Sequence, residues 1–290
     1  MSGAVREPAP AKINLALAVT GRRPDGYHLL DTIVVFAELG DVVAAGPDDA
    51  LRLDIDGPFA TALNADDSNL VLRAANLLQA WAQHAGSRAP GARLRLTKSL
   101  PVAAGLGGGS ADAAAALRAL NRLWRLGLDS GRLAALGAEL GADIAMCVHS
   151  RAARATGIGA TITPFDELPA MPMVLVNPGV PLSTRDVFAR LSGRFSAGLP
   201  PLAPLSTLSQ VVGWLGHADN DLTPAACALA PGIAEAIAAL GAAPGCRLAR
   251  MSGSGASCFG VFDDQPAAQR AAQILSAAHP GWWVRATTAR

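Results

Sequence analysis

The chain is poor in aromatic residues. They make up 4% of its 290 residues, and Tyr27 is the only tyrosine. A ring placed on a turn rather than inside a core strand therefore stands out. Charge of one sign is also missing. The net charge is +1, which removes the electrostatic case for a protein that coats nucleic acid and leaves room only for a local basic pocket. The four cysteines, Cys147, Cys227, Cys246 and Cys258, form no CxxC pair, so reduced core thiols are expected, as in a cytoplasmic enzyme. No long uninterrupted apolar run is present. The most apolar window, 223–244, is broken by Pro231 and Glu235, so no membrane span is expected. The opening MSGAVREPAPAK has no apolar signal core, so no export signal is expected.

What is present is core material. Hydrophobic residues are 51% and charged residues 16%, enough to bury a core and without the signature of disorder. The length suits two lobes. Strand alternation runs through AKINLALAVTGRR (11–23), DTIVVFAEL (31–39) and LRLDID (51–56). A helix follows over 68–86, with Ser68 as N-cap and Gly86 as stop, then a strand over 92–101 and a helix over 110–124. Beyond residue 165 the spacing predicts a strand at 172–177, a helix from about Ser183 and a proline- and serine-rich surface loop at 192–209. Two alanine-rich helices, strands at 246–251 and 256–262, a helix at 265–278 and a strand at 282–288 complete the chain. This order is α+β rather than regularly alternating, with a lobe boundary near 165 and no internal repeat.

Five stretches carry chemistry. PVAAGLGGGSADAAAAL (101–117) sets glycines directly ahead of a helix. It lacks the Lys-Ser/Thr end of a P-loop and the GxGxxG spacing of a dinucleotide site. A helix N-terminus behind glycines nonetheless attracts phosphate, with Ser110 able to cap the helix or meet a metal. A tight structural turn is the alternative. MSGSGASCFGVF (251–262) is a ligand loop or a strand-entry bulge. Asp143 in LGADIAM is a functional base or a helix cap. Lys12 opens an otherwise apolar strand and is a functional cation or a solvated strand end. GRRPDGYHLL (21–30) puts Tyr27 and His28 on a turn.

In their order along the chain these stretches resemble the GHMP kinase superfamily of small-molecule kinases. PAKINLAL…GRRPDGYH, DDSNLVLRAA, PVAAGLGGGSADAAAAL, LGADI, LVNPGVPLST and MSGSGASCFGVF resemble successive blocks of its branch acting on 4-diphosphocytidyl-2-C-methyl-D-erythritol. The blocks run from residue 10 to about 262. Departures are Ala145 and Cys147, where the branch usually has proline and phenylalanine, and Ala111, where it often has a second serine.

The resemblance implies a two-lobed α+β fold with the active site in the cleft between lobes: an ATP-binding domain over 1–165 and a substrate-binding domain over 166–290. It implies ATP as phosphoryl donor, Mg²⁺ bridging the phosphates, and transfer to the 2-hydroxyl of the cytidyl substrate. Asp143 is expected to accept the alcohol proton, with Lys12 keeping that carboxylate ionised and neutralising charge at the reacting oxygens. ATP contacts are expected from Asn69, Lys98, Pro101, Gly105, Leu106, Gly107, Gly108, Gly109 and Ser110, with Ser110 the candidate metal ligand. Substrate contacts are expected from Asn14, Tyr27, His28, Thr184, Phe188, Gly253 and Gly255. Tyr27 and Phe188 would cover the two faces of cytosine, and His28 would read its edge. The partners are small molecules, with no nucleic acid or membrane, in a monomer or weak homodimer. Two rivals remain: another kinase of the superfamily, or a nucleotide binder without catalysis. DGYH and NPGVPLST argue against the first, and the presence of both Lys12 and Asp143 argues against the second.

Overall fold

A computed structural model describes residues 4–165, 168–191, 193, 195–202 and 205–290. The chain forms two compact units that interleave in sequence. One contains the start of the chain to Ala11, Gly40–Val102 and Gly107–Ser150; the other contains Lys12–Leu39, Ala103–Leu106 and Arg151–Arg290. The single boundary expected near 165 therefore does not describe the units. The reason lies in two long strands, β1 (Val5–Arg22) and β2 (His28–Pro47), each of which contributes one half to each unit.

In the first unit, Val42–Pro47 of β2 pair antiparallel with β4 (Ala92–Thr97), and β4 pairs in parallel with β3 (Arg52–Asp56). A parallel pair needs a crossover, and α1 (Leu70–His84) supplies it. Asn69, rather than the expected Ser68, is the N-cap: its side chain accepts from the Val71 amide. Gly86, at φ +71°, follows the helix as expected. The next helix, α2 (Gly108–Leu123), buries Ala113–Ala116 on successive positions, with Leu117 and Leu120 as its large buried side chains. It packs against α1 and α4 (Ala142–His149), which in turn packs on α3 (Ser130–Ala138). Neither α3 nor α4 is among the helices expected from the sequence.

In the second unit, β2 pairs with β5 (Ala153–Gly157), which forms a hairpin with β6 (Thr161–Pro164). Neither strand was anticipated, because both are short and partly polar. β7 (Met171–Asn177) is the spine of the remaining strands. Its residues 173–176 are fully buried, as fits a strand covered on both faces. After β7 come α5 (Thr184–Ala189), α6 (Leu208–Leu215), α7 (Thr223–Leu229) and α8 (Gly232–Ala242). The last elements are β8 (Cys246–Met251), β9 (Cys258–Phe262), α9 (Gln265–Ala278) and β10 (Trp283–Ala289). The strand order β10-β7-β9-β8 is antiparallel throughout. Val174, Val176, Ile233, Leu240, Phe262 and Leu275 belong to its core cluster.

The apolar window at 223–244 resolves into α7 and α8, bent by 119°. Among the described residues no single helix is long and apolar enough to cross a membrane. All four cysteines are free thiols.

The described part of the 192–209 loop is tied down at several points, among them Ser196, which bonds the Val19 carbonyl at 2.9 Å and Asp221 at 2.6 Å, and Leu199. Asp31 takes a two-pronged contact from Arg154 at 2.7 and 2.6 Å and accepts the Leu199 amide at 2.9 Å. Burial raises the Asp31 pKa, but the Arg154 hydrogen bonds, the Leu199 amide and the Arg154 charge outweigh it, so the carboxyl is held below its ordinary value. A depressed carboxylate pKa stabilises the fold above the unfolded-state value near 4, and that contribution is lost as pH falls through the folded-state value. Asp31→Asn is therefore expected to cost about 2–4 kcal/mol at pH 7. In urea unfolding, its deficit against the parent should shrink as pH falls below about 4.

Candidate active site

The glycine loop enters α2 through its backbone. Gly107 is the N-cap, at φ +62°, and no side chain caps the helix. The expectation that Ser110 caps α2 is thus corrected: Ser110 lies in the first helical turn. A left-handed glycine makes the entry turn. The first three helix amides, those of Gly108, Gly109 and Ser110, have no acceptor in the preceding turn, and the positive end of the helix dipole lies with them. Gly109 is exposed and Ser110 half-buried. Free amides at the positive end of a helix dipole are the kind of backbone arrangement that suits an anion.

Beneath that turn lies a cluster of charges the sequence analysis missed. The Lys98 ammonium is 2.6 Å from a carboxylate oxygen of Asp41 and 2.6 Å from one of Asp112. All three side chains are essentially buried. Asp41 also accepts the backbone amides of Ser99 and Leu100 through its other oxygen, at 2.5 and 2.8 Å. Burial pushes the Asp112 carboxyl up to about 8, and the nearby Asp41 charge adds to this, while Lys98 opposes it. Lys98, expected at ATP, thus commits its ammonium to two carboxylates. Asn69, expected there too, uses its carboxamide oxygen to cap α1 and its amide to reach the Asn64 carbonyl at 2.9 Å. Asp41 is one of three acidic residues on β2, with Asp31 and Glu38, so nothing in the strand's sequence singles it out.

In the second unit, residues 103–106 of the same loop rest on the 252–257 turn. The Ser257 amide donates to the Ala104 carbonyl at 3.0 Å. The Ser252 hydroxyl donates to the Gly105 carbonyl at 3.0 Å and accepts the Asn14 amide at 3.1 Å. The Lys12 amide donates to Leu106 at 2.8 Å. A Cβ on Gly105, at φ +74°, would lie 2.6 Å from the Ser252 carbonyl oxygen and 2.7 Å from that of Gly255. The two glycine-rich stretches, read separately in the sequence, are one packed assembly. Asn220 braces it from behind, donating to the Met251 and Gly253 carbonyls at 3.0 and 2.8 Å.

Lys12 is buried on β1 with 5% exposure, not solvated as the bland reading of a strand-end lysine required. Asn14 is buried two residues on and donates to the Thr32 hydroxyl at 2.8 Å. Tyr27 is 66% exposed. The His28 imidazole stacks on the Phe188 ring, with centroids 4.8 Å apart and planes 27° from parallel. Phe188 therefore lies on His28 in this structure, a pairing the sequence analysis did not foresee. Desolvation lowers the His28 pKa, and the Arg22 charge lowers it further, so the ring is neutral at pH 7, with one donor and one acceptor nitrogen. Thr184 shares a 2.8 Å hydrogen bond with Ser254, which ties the start of α5 to the glycine turn between Gly253 and Gly255. Asp143 is in the first turn of α4, whose N-cap is Gly141 without a side-chain bond. Asp143 is therefore not the N-cap residue, though it lies in the first turn, at the positive end of the helix dipole.

Comparison with known proteins supplies the family. The GHMP kinases N terminal domain model matches residues 69–151, and the GHMP kinases C terminal model matches 204–281. A 4-diphosphocytidyl-2-C-methyl-D-erythritol kinase of Parvibaculum lavamentivorans is 50% identical, over 100% of this chain and 99% of that protein. One of Cereibacter sphaeroides is 52% identical, over 95% and 96%. The chain belongs to this kinase family. A crystal structure of 4-(cytidine 5'-diphospho)-2C-methyl-D-erythritol kinase, 35% identical, superposes with a TM-score of 0.81 over 98% of each chain. A homoserine kinase from Cytophaga hutchinsonii, at 20% identity and a TM-score of 0.72, shares the fold.

The packing at Gly105 makes a specific prediction. Gly105→Ala should destabilise the protein by about 2–4 kcal/mol, from backbone strain plus overpacking, and raise the KM for ATP. Gly86→Ala is the control, because Gly86 has nearly the same φ, +71°, but nothing within 4 Å of its Cβ position. Thermal unfolding should show the smaller loss for Gly86→Ala, and its ATP KM should be parental.

Proposed function

We propose that this chain transfers the γ-phosphoryl group of ATP to the 2-hydroxyl of 4-diphosphocytidyl-2-C-methyl-D-erythritol, a step of non-mevalonate isoprenoid precursor synthesis. One observation carries the reading: identity of about half, over the whole length, to kinases named for that substrate. The local geometry is compatible with it. A backbone anion cradle opens α2, a buried lysine and asparagine lie on β1, and rings gather at the β1–β2 turn.

Phosphoryl transfer asks a protein for positioning and charge stabilisation more than for covalent chemistry. The amides at 108–110 hold the ATP phosphates. Asp143 takes the proton from the attacking hydroxyl, and the Lys12 ammonium offsets negative charge at the transferring group. Asn14 orients the substrate. Tyr27 stacks on the cytosine, and neutral His28 reads its edge. Tyr27 offers its exposed face, and Phe188, stacked on His28, holds that imidazole for the edge contact. Thr184 and the turn at Gly253 and Gly255 support the same substrate.

Among the described residues no group of three or more His, Cys, Asp or Glu side chains is placed to hold a metal ion. A Mg²⁺ ion arriving on ATP would need few protein ligands, since Mg²⁺ is commonly held by phosphate oxygens and water. Ser110 is the residue that would hold it, and the ion would neutralise phosphate charge.

An assay of ATP consumption with and without the cytidyl substrate tests the function directly. Asp143→Asn should fold and bind ATP as the parent does while kcat falls by about 100-fold or more, the scale for a lost general base. Turnover within a few-fold of the parent would remove Asp143 from the mechanism.

The recognition of cytosine is tested separately. Tyr27→Leu should raise the KM for the cytidyl substrate by about 5- to 150-fold, the equivalent of one aromatic–base stack of about 1–3 kcal/mol, with the ATP KM unchanged. Equal loss for both substrates would make Tyr27 a packing residue of the turn.

A further inference from the structure

The Lys98 cluster touches the chain on both sides of the phosphate loop. On the entry side, Asp41 of β2 accepts two consecutive backbone amides, Ser99 and Leu100, immediately before the loop begins at Pro101. On the exit side, Asp112 sits one turn into α2, beyond the glycines. Lys98 joins the two carboxylates at 2.6 Å each, and its ammonium lies 3.0 Å from where a Cβ on Gly108 would be, directly under the first residue of the helix. One oxygen of Asp112 is buried without a hydrogen-bond partner. An arrangement that takes three ionisable side chains out of water and leaves an oxygen unsatisfied is costly. It is a poor device for stability alone, since packed apolar side chains of similar size commonly do as well or better.

We propose that Asp41, Lys98 and Asp112 are positioning residues that hold the entry and exit of the 101–110 loop at a set separation, so that the helix amides meet the ATP phosphates in register. The proposal rests on the reading that this loop binds ATP phosphates, and it replaces the direct ATP contact expected of Lys98. The three side chains act through the backbone they hold. A ligand that engages those amides should sense the clamp; a ligand recognised elsewhere should not.

The experiment uses the full chain and calorimetric binding of three probes: inorganic tripolyphosphate, ADP and adenosine. Kinetics with ATP and the cytidyl substrate accompany it. Lys98→Met severs the bridge and leaves two carboxylates close together, so it should lose stability. Lys98→Met with Asp112→Asn removes the excess negative charge and should recover much of the melting temperature. Under the proposal both variants bind tripolyphosphate and ADP about 10-fold or more weakly, while adenosine binds as to the parent. In the kinetics the ATP KM rises and the cytidyl substrate KM stays within about twofold. Recovery of phosphate binding together with melting temperature in the double variant would reduce the cluster to a structural role and overturn the proposal.

Asp41→Asn separates the clamp from a direct contact. It keeps Lys98 but sets an amide group among donors, so under the proposal it weakens tripolyphosphate binding as Lys98→Met does. Parental phosphate binding in Asp41→Asn, beside a loss in Lys98→Met, would show that Lys98 meets the phosphate itself and that the clamp is wrong. Where a variant does not fold, the remaining two are read by the same criteria. If the parent binds tripolyphosphate but does not phosphorylate the cytidyl substrate, the assigned function fails while the clamp is still tested by the binding data.

Discussion

Close approach of one backbone to another is the constraint from which the site's construction follows. The loop at 103–106 lies on the carbonyl groups of Ser252 and Gly255 with no space for a side chain at Gly105. Hydrogen bonds from Ser252 and Ser257 then lock the two segments together, and the Lys12 amide on β1 holds Leu106. Polar backbone groups that would otherwise be buried without partners are satisfied by each other. The glycines of the two stretches answer the same requirement. They permit a surface made of backbone, and such a surface can present amides to an anion without a side chain in the way.

The charges beneath the loop solve a different problem. A loop of glycines has little conformational stiffness of its own, because each glycine has many accessible backbone states. Its geometry must be imposed from its flanks. The first unit does so with Asp41, which takes two backbone amides, and with Lys98, which carries the connection to Asp112 on α2. Burial makes these contacts strong and also makes each charge dependent on the others, since an unpaired buried charge is costly. Rigid flanks and a permissive middle are complementary properties of one loop.

Much of the fold was legible because its periodic elements are long or strongly patterned. The limits of α2 and α9, and the strands at 171–177 and 283–289, lie within a few residues of their sequence-based limits. The misses have local causes. α3 and α4 are short helices joined by a turn at Gly141, with little periodic signal each. β5 and β6 are held as strands mainly by pairing with each other and with β2. Ser68 resembles an N-cap as much as its neighbour does, and only the backbone path makes Asn69 the cap. At the site, glycine spacing and the isolated Lys12, Asp143 and Tyr27 were visible. Asp41 was not, because one acidic residue in a strand states nothing about what it faces.

The sequence by itself determined the types of the long, strongly patterned elements, the family resemblance and the residue kinds available for phosphoryl transfer, since these depend on local pattern and on order along the chain. Tertiary structure alone decided which residues share surroundings. It placed Gly105 on the 252–257 turn across nearly 150 positions of sequence, with a separation of 147 at the Ser252–Gly105 bond. It stacked His28 on Phe188, and it set Lys98 between two carboxylates rather than in solvent. It also divided the chain into interleaved units, because β1 and β2 are long enough to serve both. Each of these depends on contacts between distant segments, whose energies come from burial and pairing that no local stretch of sequence contains.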